Sequence, residues 1–342
     1  MASTHPTFSL IVNTTDRADS LAVLLRALEH QTYPDFEVIV VVGPTQDHTM
    51  DVLARYQGRV RVLHCDDANL SRSRNIGLLA ARGDVVAYID DDAVPSLRWL
   101  EQLARLFANP ALDATGGVVH IVHPRQPVMQ HRVGITSSLA EQHNVRASYL
   151  EQAVPQGEGM QWLCRMMGTN MAFRRQALLE VGGFDEFYAY VAEETDLAVR
   201  MVNAGHSIRP VLEAPVYHIP ASSRNRVVFT NVGRWWLQTR SLVYFAAKNG
   251  RTAGDDMRTI LRHILYRVHG HWLWYNGLRR SGQLTFSQML WRSLEEVWAG
   301  LEGSWAGFFR PRRTLASHVT QTAREEKEGF VPFPKPDASP QP

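Results

Sequence analysis

Three consecutive carboxylates, Asp90, Asp91 and Asp92, follow an apolar, β-branched run in this chain. The run is Val85–Ile89, and Pro95 ends the segment. Because side chains alternate along a strand, Asp90 and Asp92 are expected on one side and Asp91 on the other. Two carboxylates about 4 Å apart repel by about 4 kcal/mol at an effective dielectric of about 20. The pair therefore needs a cation, a shared proton or full solvation. Mg²⁺ or Mn²⁺ would suit these oxygen ligands, whereas an acidic turn that caps the next helix is the alternative.

The elements around the triplet alternate apolar strands with amphipathic helices. Their β-α-β-α-β-α-β order implies a mostly parallel sheet with right-handed crossovers. Ligands of such sheets bind beyond the carboxyl ends of the strands, where the triplet stands. The predicted strands are Phe8–Val12, Phe36–Val42, Val60–Leu63, Val85–Ile89 and Ala114–Val122. The predicted helices are Ser20–His30, Thr49–Tyr56, Arg74–Ala81 and Leu97–Phe107.

Length and composition limit the class of protein. The 342 residues, of which 45% are hydrophobic, suffice for one large domain or two. No stretch reaches the roughly 18 uninterrupted apolar residues that span a bilayer, and the first residues lack the basic and apolar regions of a signal peptide. We therefore expect a cytosolic protein. Residues 124–159 are polar and irregular, which predicts a substrate loop.

The C-terminal part differs in charge and in aromatic content. Residues 1–220 carry 18 Arg and 25 Asp or Glu, whereas residues 221–342 carry 18 Lys or Arg and 9 Asp or Glu. Beyond Ser222, Trp, Tyr and Phe alternate with Arg in helical stretches, which favours peripheral contact with a membrane. A helical cap on the rest of the chain and a homodimer interface are the alternatives. Nucleic-acid binding is not expected because Lys is nearly absent, and the charged, Pro-rich end predicts disorder.

Six motifs stand in the order typical of the family-2 glycosyltransferases of the GT-A fold, and the chain resembles this family over about residues 8–220. Each motif alone is weak, but together in this order they are highly specific. The motifs are Ser9–Arg17, Gln31–Val41, Ser73–Gly77, Asp90–Asp92, Gly182–Glu186 and Glu193–Leu197.

The resemblance implies an α/β fold, with a Rossmann-like mixed, mostly parallel sheet flanked by helices and an added C-terminal helical region. It divides the chain into a catalytic domain (1–222), an aromatic and Arg-rich helical region (223–323) and a disordered tail (324–342). The implied activity is inverting transfer of a sugar from a nucleotide-diphosphate sugar to an acceptor hydroxyl. Cell-surface polysaccharide or glycolipid synthesis is the expected setting, in the cytoplasm or at the inner face of the membrane, with a carbohydrate or lipid-linked acceptor.

The same resemblance assigns the metal site. Asp92, and then Asp90, would bind a divalent cation, Mg²⁺ or Mn²⁺, which stabilises the leaving diphosphate. His218 would complete the metal shell, because a neutral imidazole is a reasonable ligand; a structural role after a strand is its alternative.

A general base must take the proton of the acceptor hydroxyl. The resemblance gives this role to Glu194, although the family usually has Asp there, so Glu193 and Asp196 stay open as alternatives. Carboxylates at this position could also simply complement the dipole of the helix that they open.

Donor and acceptor residues follow from the other motifs. The family usually has a carboxylate after its second strand to hold the nucleotide base, but Val42–Thr45 has none, so the donor nucleotide stays open among UDP, GDP and dTDP. Arg74 would contact a phosphate or form a surface salt bridge. The implied donor-binding residues are Asn13, Thr15, Arg17, Asp67, Arg74 and Asp91. The implied acceptor-binding residues are Gly168, Thr169, Asn170 and Asp185.

Two other classes of function stay open. A nucleotidyltransferase would also use an α/β sheet and acidic metal ligands, but Asn13–Arg17 lacks the expected Gly-rich phosphate loop. A non-catalytic carbohydrate-binding relative would explain the departure at Val42–Thr45, whereas the retained acidic groups argue against it.

Overall fold

The computed structural model describes residues 5–122, 128–131, 134–144, 162–221 and 235–310, with residues 315, 330 and 332–333. Its strands are β1 (Phe8–Thr14), β2 (Phe36–Val42), β3 (Arg61–His64), β4 (Val85–Asp90), β5 (Ala93–Pro95), β6 (Ala114–Ile121), β7 (Val128–His131), β8 (Gly134–Ser137), β9 (Gln142–Asn144), β10 (Trp162–Arg165), β11 (Met171–Arg174) and β12 (Ile208–His218). Its helices are α1 (Ala18–Glu29), α2 (Thr49–Ala54), α3 (Leu70–Ala80), α4 (Trp99–Phe107), α5 (Arg175–Glu180), α6 (Glu193–Asn203), α7 (Trp235–Thr252), α8 (Met257–Arg280) and α9 (Phe286–Phe309).

The strands of the described part form a mixed sheet in the order β3-β2-β1-β4-β11-β6-β12-β5, with β7 beside β6, and a small sheet β10-β8-β9. Strands β3, β2, β1 and β4 are parallel, and β12 is parallel to β6. Strand β11 runs antiparallel to β4 and β6. The predicted mixed, mostly parallel sheet is confirmed. Strand β11 was not predicted, because its four residues are too few to show a period.

Helices cover both faces of the sheet, as β2 illustrates. All residues of β2 are buried. Val38 and Val40 pack in the same core cluster as the leucines of α1. Ile39 and Val41 pack on the other face, in the cluster that contains Leu78 of α3. Each fully buried side chain of this kind contributes about 1.5–3 kcal/mol, so the sheet is a firm support for residues at its carboxyl edge.

Helix α3 begins earlier than the predicted start at Arg74. Asn69 caps it, since the Asn69 side chain accepts a hydrogen bond from the Arg72 N–H at 3.0 Å. A polar cap before a helix satisfies main-chain donors that have no helical partner. The extra turn adds Leu70–Ser73 to the helix.

Asn75 of α3 holds the turn at Gly182 and Gly183. The Asn75 side chain donates to Phe184 O at 2.9 Å and accepts from Phe184 N at 2.8 Å. Both glycines have positive φ, 79° and 64°, and a Cβ at Gly183 would lie 2.6 Å from Asn75 Oδ1. Two motifs that are distant in sequence therefore form one structural unit.

Helix α7 packs into the core of the N-terminal part. Tyr244 and Phe245 belong to the same buried cluster as Tyr88 and Phe173 of the sheet. Of the alternatives left open for the C-terminal region, packing on the rest of the chain is therefore observed for α7.

A buried ion network joins α7 to two of the acidic motifs. Lys248 Nζ lies 2.6 Å from Asp185 Oδ2 and 2.7 Å from Asp196 Oδ1. The Tyr244 hydroxyl donates to Asp185 at 2.7 Å, and Arg200 Nε lies 2.9 Å from Asp196. All of these side chains are buried or nearly so.

Two expectations about irregular segments need correction. Within residues 124–159, strands β7, β8 and β9 form, and the remainder lies outside the described residues. In the predicted disordered tail, Phe333 is buried, donates its N–H to Phe36 O at 2.6 Å and stacks near Tyr56. Apart from residues 330, 332 and 333, the segment 324–342 lies outside the described residues. The two predicted domain boundaries, after residues 222 and 323, also lie outside them.

Replacing Lys248 with Met is expected to lower the free energy of unfolding by about 3–5 kcal/mol, because it leaves buried carboxylates without their cation. Urea unfolding followed by circular dichroism measures the change. Arg258→Met, at an exposed position of α8, is the matched control and should change stability by less than about 0.5 kcal/mol. Equal stability of the two variants would contradict the role given to Lys248.

Candidate active site

A cleft of about 400 Å³ lies at the carboxyl edge of β1 and β4. Most of the residues predicted from the sequence line it, although they come from separate segments. The predicted residues on its walls are Asn13, Thr15, Arg17, Asp67, Arg74, Asp90, Asp91, Asp92, Gly168, Thr169, Glu193, Glu194 and His218.

The acidic triplet lies where β4 ends and the chain turns into β5. Asp90 is the last residue of β4, and β5 pairs with the end of β12, which carries His218. This pairing brings His218 Nε2 to 3.0 Å from Asp92 Oδ1. Asp90, Asp92 and His218 place one ligand atom each within 4.8 Å of one another. Asp91 pairs with Arg17, which also reaches Asp92, so this arginine bridges the two sides of the triplet.

The group formed by Asp90, Asp92 and His218 fits a divalent cation. Octahedral bonds of about 2.1 Å place neighbouring ligand atoms about 3.0 Å apart, and the Asp92–His218 separation is 3.0 Å. Carboxylate oxygens suit Mg²⁺ and Mn²⁺, and a neutral imidazole is a common metal ligand. The donor atoms, which all lie within 4.8 Å of one another, are therefore compatible with the predicted metal site.

Arg17 supplies positive charge to the triplet. Its Nη1 atom lies 2.7 Å from Asp91 Oδ1 and 3.0 Å from Asp92 Oδ2. Burial raises the pKa of Asp91 to about 6, although Arg17 acts in the opposite direction. Burial also acts to raise the pKa of Asp92, but hydrogen bonding to His218 and the charge of Arg17 lower it to about 2. Asp92 is therefore an anion throughout the physiological pH range.

Gly168 and Thr169 connect the triplet to α3 and α6. Thr169 donates from Oγ1 to Asp90 Oδ2 at 2.5 Å. A Cβ at Gly168 would clash with Arg74 Nη2, so glycine leaves room for this guanidinium. Arg74 Nη1 donates to Glu193 Oε1 at 2.7 Å, and both side chains are buried. The alternative of a surface salt bridge for Arg74 is therefore wrong.

The segment before α6 has a strained backbone. Val191 and Ala192 have φ values of 72° and 71°. This left-handed region is unfavourable for a β-branched residue, and such strain costs about 1–3 kcal/mol and clusters at functional sites. Ser241 of α7 helps to hold the segment, because its hydroxyl donates to Tyr190 O at 2.9 Å. The resulting turn leaves Glu194 on the wall of the cleft.

Glu194 has the properties of a general base. It is half-buried on the cleft wall. Burial and the neighbouring charge of Glu193 raise its pKa to about 8, while Arg74 acts in the opposite direction. A carboxylate whose pKa lies near the working pH accepts a proton effectively. Glu193 also lines the cleft, but its Oε1 atom is hydrogen-bonded to Arg74.

Asp196 and Asp185 are not among the residues of the cleft wall. Both side chains are fully buried, and both carboxylates contact Lys248. Asp196 also pairs with Arg200, and Asp185 also accepts a hydrogen bond from the Tyr244 hydroxyl. The expectation that they face a substrate is wrong, because the fold uses their charges to pack α7 against α6.

Asn170 also has a structural environment. It accepts a hydrogen bond from Trp99 Nε1 at 3.0 Å and donates to Ala214 O at 2.9 Å. Its side chain therefore ties α4 to β12 and does not face the cleft, in contrast to the prediction that it contacts the acceptor.

Asn69, Ser73 and Tyr190 also line the cleft but were not predicted. Ser73 Oγ accepts from Asn13 Nδ2 at 2.5 Å. Ser73 belongs to the Ser73–Gly77 motif, so the motif could have identified it. Asn69 and Tyr190 stand in segments without a comparable pattern, and only the fold brings them to the cleft.

The chain departs from the family pattern directly after β2. A Cβ at Gly43 would clash with Thr15 Oγ1, so a larger residue at position 43 would require the Thr15 side chain to turn away. Asp67, one of the residues expected to bind the donor, is exposed at the cleft and pairs with Arg72.

The protein-family model described as "Glycosyl transferase family 2" matches residues 9–182, which are half of the chain. The matched range includes the motifs from the first strand through the Asp triplet. The remaining motifs continue in the expected order directly after it.

Two curated relatives match with substantial coverage. The glucosyl-dolichyl phosphate glucuronosyltransferase of Haloferax volcanii is 32% identical over 176 residues, which are 50% of this chain and 52% of that protein. The O-antigen chain rhamnosyltransferase WbaN of Salmonella anatum is 24% identical over 220 residues, 62% of this chain and 66% of that protein. The chain thus spans about half the length of the first relative.

A solved structure shares the fold. The mannosyltransferase PcManGT of Pyrobaculum calidifontis, in complex with GDP-Man and Mn²⁺, has a TM-score of 0.52 at 17% identity, covering 89% of this chain and 88% of that one. Such a likeness shows the fold alone, and it confirms the predicted GT-A architecture. With the family match over half its length and four of the ordered motifs lining one cleft, the chain belongs to glycosyl transferase family 2.

Proposed function

We propose that this protein is an inverting glycosyltransferase that moves a sugar from a nucleoside-diphosphate sugar to an acceptor hydroxyl. One observation carries the proposal: the Asp90–Asp92–His218 group and Glu194 line the same cleft. Sugar transfer needs such a pairing, because charge on the departing diphosphate must be stabilised while a base takes the proton of the hydroxyl. The cleft volume of about 400 Å³ lies within the range of small-molecule sites.

The donor side of the cleft is assigned to the ends of β1 and β4 and the start of α3. Arg17 and Arg74 supply positive charge for the diphosphate, and a charge-assisted hydrogen bond to phosphate is stronger than a neutral one. Asp67 is exposed and is the proposed acceptor of hydrogen bonds from the nucleobase. The proposed donor contacts are those of Asn13, Thr15, Arg17, Asp67, Arg74 and Asp91.

Asp90, Asp92 and His218 are proposed to hold Mg²⁺ or Mn²⁺. When bound, the cation supplies positive charge against the negative charge that develops on the diphosphate. Asp92 stays ionised because of Arg17 and His218, and the Thr169 hydroxyl orients Asp90. A protein of the same fold has been solved with Mn²⁺ and GDP-Man, which supports the proposal.

Glu194 is the proposed general base, with Glu193 as the alternative. The hydroxyl proton passes to the Glu194 carboxylate while the hydroxyl oxygen attacks the anomeric carbon opposite the diphosphate. The bond to the diphosphate breaks as the new bond forms, so the configuration inverts. Arg74 holds Glu193 at 2.7 Å and thereby positions the start of α6.

The acceptor is proposed to be a carbohydrate or a lipid-linked saccharide, bound near Gly168 and Thr169. The names of the two relatives include glucosyl-dolichyl phosphate and O-antigen chain, which supports a role in glycolipid or cell-surface polysaccharide synthesis. We place this activity in the cytoplasm at the inner face of the membrane. Membrane contact through the C-terminal helices is proposed as the setting of this activity, and a homodimer through the same helices is the alternative. Family membership leaves the nucleotidyltransferase alternative without a supporting observation.

Asp92→Asn is expected to weaken Mn²⁺ binding by at least about tenfold, because it removes the anionic ligand closest to His218. Isothermal titration with MnCl₂ measures the affinity, and the Mn²⁺-dependent rise in Tm provides a second reading, since ligands that bind the native state raise Tm. Asp51→Asn, at an exposed position of α2, is the control. Unchanged Mn²⁺ affinity in Asp92→Asn would remove Asp92 from the site.

Glu194→Gln is expected to lower kcat by about 10²–10⁴-fold, because the amide cannot accept the hydroxyl proton. The assay follows release of nucleoside diphosphate from UDP-, GDP- and dTDP-sugars with Mn²⁺ and a saccharide acceptor. Glu213→Gln, at an exposed position of β12, should retain full activity. Full turnover by Glu194→Gln would move the base elsewhere, and donor binding without turnover by the wild type would favour a non-catalytic relative.

The value of kcat/KM is expected to rise with pH and to level off above about pH 8, the raised pKa of Glu194. Below this pKa the carboxyl is protonated and cannot act as a base. Initial rates between about pH 6 and pH 9 test the slope. The Glu194→Gln profile should be flat in this range, and two parallel profiles would assign the titration to another group.

A further inference from the structure

Helix α9 exposes a continuous apolar face. From Leu290 to Phe309, every exposed side chain is apolar. At 1.5 Å per residue this stripe is about 30 Å long, and monomeric soluble proteins rarely leave so large an apolar patch uncovered. The residues of this α9 face are Leu290, Trp291, Leu294, Val297, Trp298, Leu301, Trp305 and Phe309.

The opposite side of α9 packs tightly against the protein. A Cβ at Gly303 would lie 2.5 Å from Arg240 O, and one at Gly307 would lie 2.8 Å from Tyr244 O, so glycines allow α9 to approach α7 closely. Glu296 of α9 is buried and accepts from the Tyr275 hydroxyl at 2.8 Å. The helix therefore directs its polar groups inward and leaves its apolar side chains outside.

Within the described range 257–310, the exposed charged side chains are all arginines. The three glutamates of this range are half-buried or buried. Arg279 and Arg280 end α8, seven and six residues before the first residue of α9, and Arg310 directly follows its last residue, so exposed arginines flank α9 on both sides in the sequence. The exposed arginines are Arg258, Arg262, Arg279, Arg280 and Arg310.

We propose that the α9 face docks on an anionic lipid bilayer, with α9 parallel to the membrane surface. Tryptophan and phenylalanine rings are favoured at the depth of the headgroups, and the arginines that flank the helix contact anionic lipid. Among the described residues, no helix is both long and apolar enough to span a membrane. This docking does not depend on the reaction proposed above.

A second copy of the chain fits the α9 face less well. A two-fold contact places the same patch of each copy against the other. Because exposed arginines flank α9 on both sides in the sequence, parallel and antiparallel contacts each bring like charges together. Within 257–310 the structure shows no exposed carboxylate to offset them.

Docking through α9 would also orient the cleft. Helix α9 packs on α7, and α7 holds the cleft-lining loop through Ser241 and the start of α6 through Lys248. These contacts join the α9 face to Glu194 through closely packed elements. A docked enzyme would therefore present its cleft at a defined angle to lipid-linked saccharides.

Vesicle flotation tests the proposal with the full chain. Wild-type protein is expected to float with phosphatidylcholine vesicles that contain phosphatidylglycerol and much less with phosphatidylcholine alone. Simultaneous Trp291→Ser, Trp298→Ser and Trp305→Ser changes should weaken binding at least tenfold. A matched variant with Met50→Ser, Leu97→Ser and Leu212→Ser changes other exposed apolar side chains and should bind as the wild type does.

Two further measurements keep the test decisive if the tryptophan variant folds poorly. Tryptophan fluorescence of the wild type should be quenched by lipids brominated near the headgroup end of the acyl chain. Sedimentation velocity without lipid should show a monomer. Failure of the wild type to bind anionic vesicles, or a dimer that the tryptophan changes convert to a monomer, would overturn membrane docking in favour of another occupant.

Discussion

Compensation of negative charge in one cleft is the constraint on which the rest of the site depends. Asp90–Asp92 and Glu193–Glu194 bring five carboxyl groups to its walls, and buried charge without a partner is costly. Arg17 offsets part of the triplet and Arg74 offsets Glu193. The negative charge that remains on the triplet favours a divalent cation there. At the other end of the cleft, the charge of Glu193 contributes to the raised pKa of Glu194. One imbalance thus underlies both the proposed metal site and the proposed base.

The C-terminal helices serve this arrangement from outside the cleft. Lys248 neutralises two carboxylates, one beside the Gly182–Gly183 turn and one on α6. Ser241 binds the strained loop that precedes Glu194. Because such strain persists only where surrounding structure holds it, α7 is part of the site's support. The apolar face of α9 is attached to the same support, so the proposed docking of this face on a membrane would also orient the cleft.

Patterns within the chain predicted β1 and β4, whose ends carry much of the site, because buried parallel strands are continuous apolar runs, but they did not predict β5 or β12, which position His218. They also located the acidic triplet at a strand end. The misassigned residues share one cause: a motif gives the position of a side chain along the chain but not its direction. Asp196 stands near Glu194 in sequence, yet the rotation of α6, set by the turn at Val191–Ala192 and by Lys248, turns it into the core. Asp185 faces the same lysine.

The amino-acid sequence by itself determined the family, the sheet and the acidic groups, since these depend on local periodicity and on residue types in a fixed order. Only the tertiary structure decided which carboxylates reach the cleft, because that depends on cations from distant segments, Arg17, Arg74 and Lys248 among them. It likewise decided that Phe333 packs beside β2 and that α9 leaves its tryptophans uncovered. Long-range packing is a property of the whole chain, and no local pattern records it.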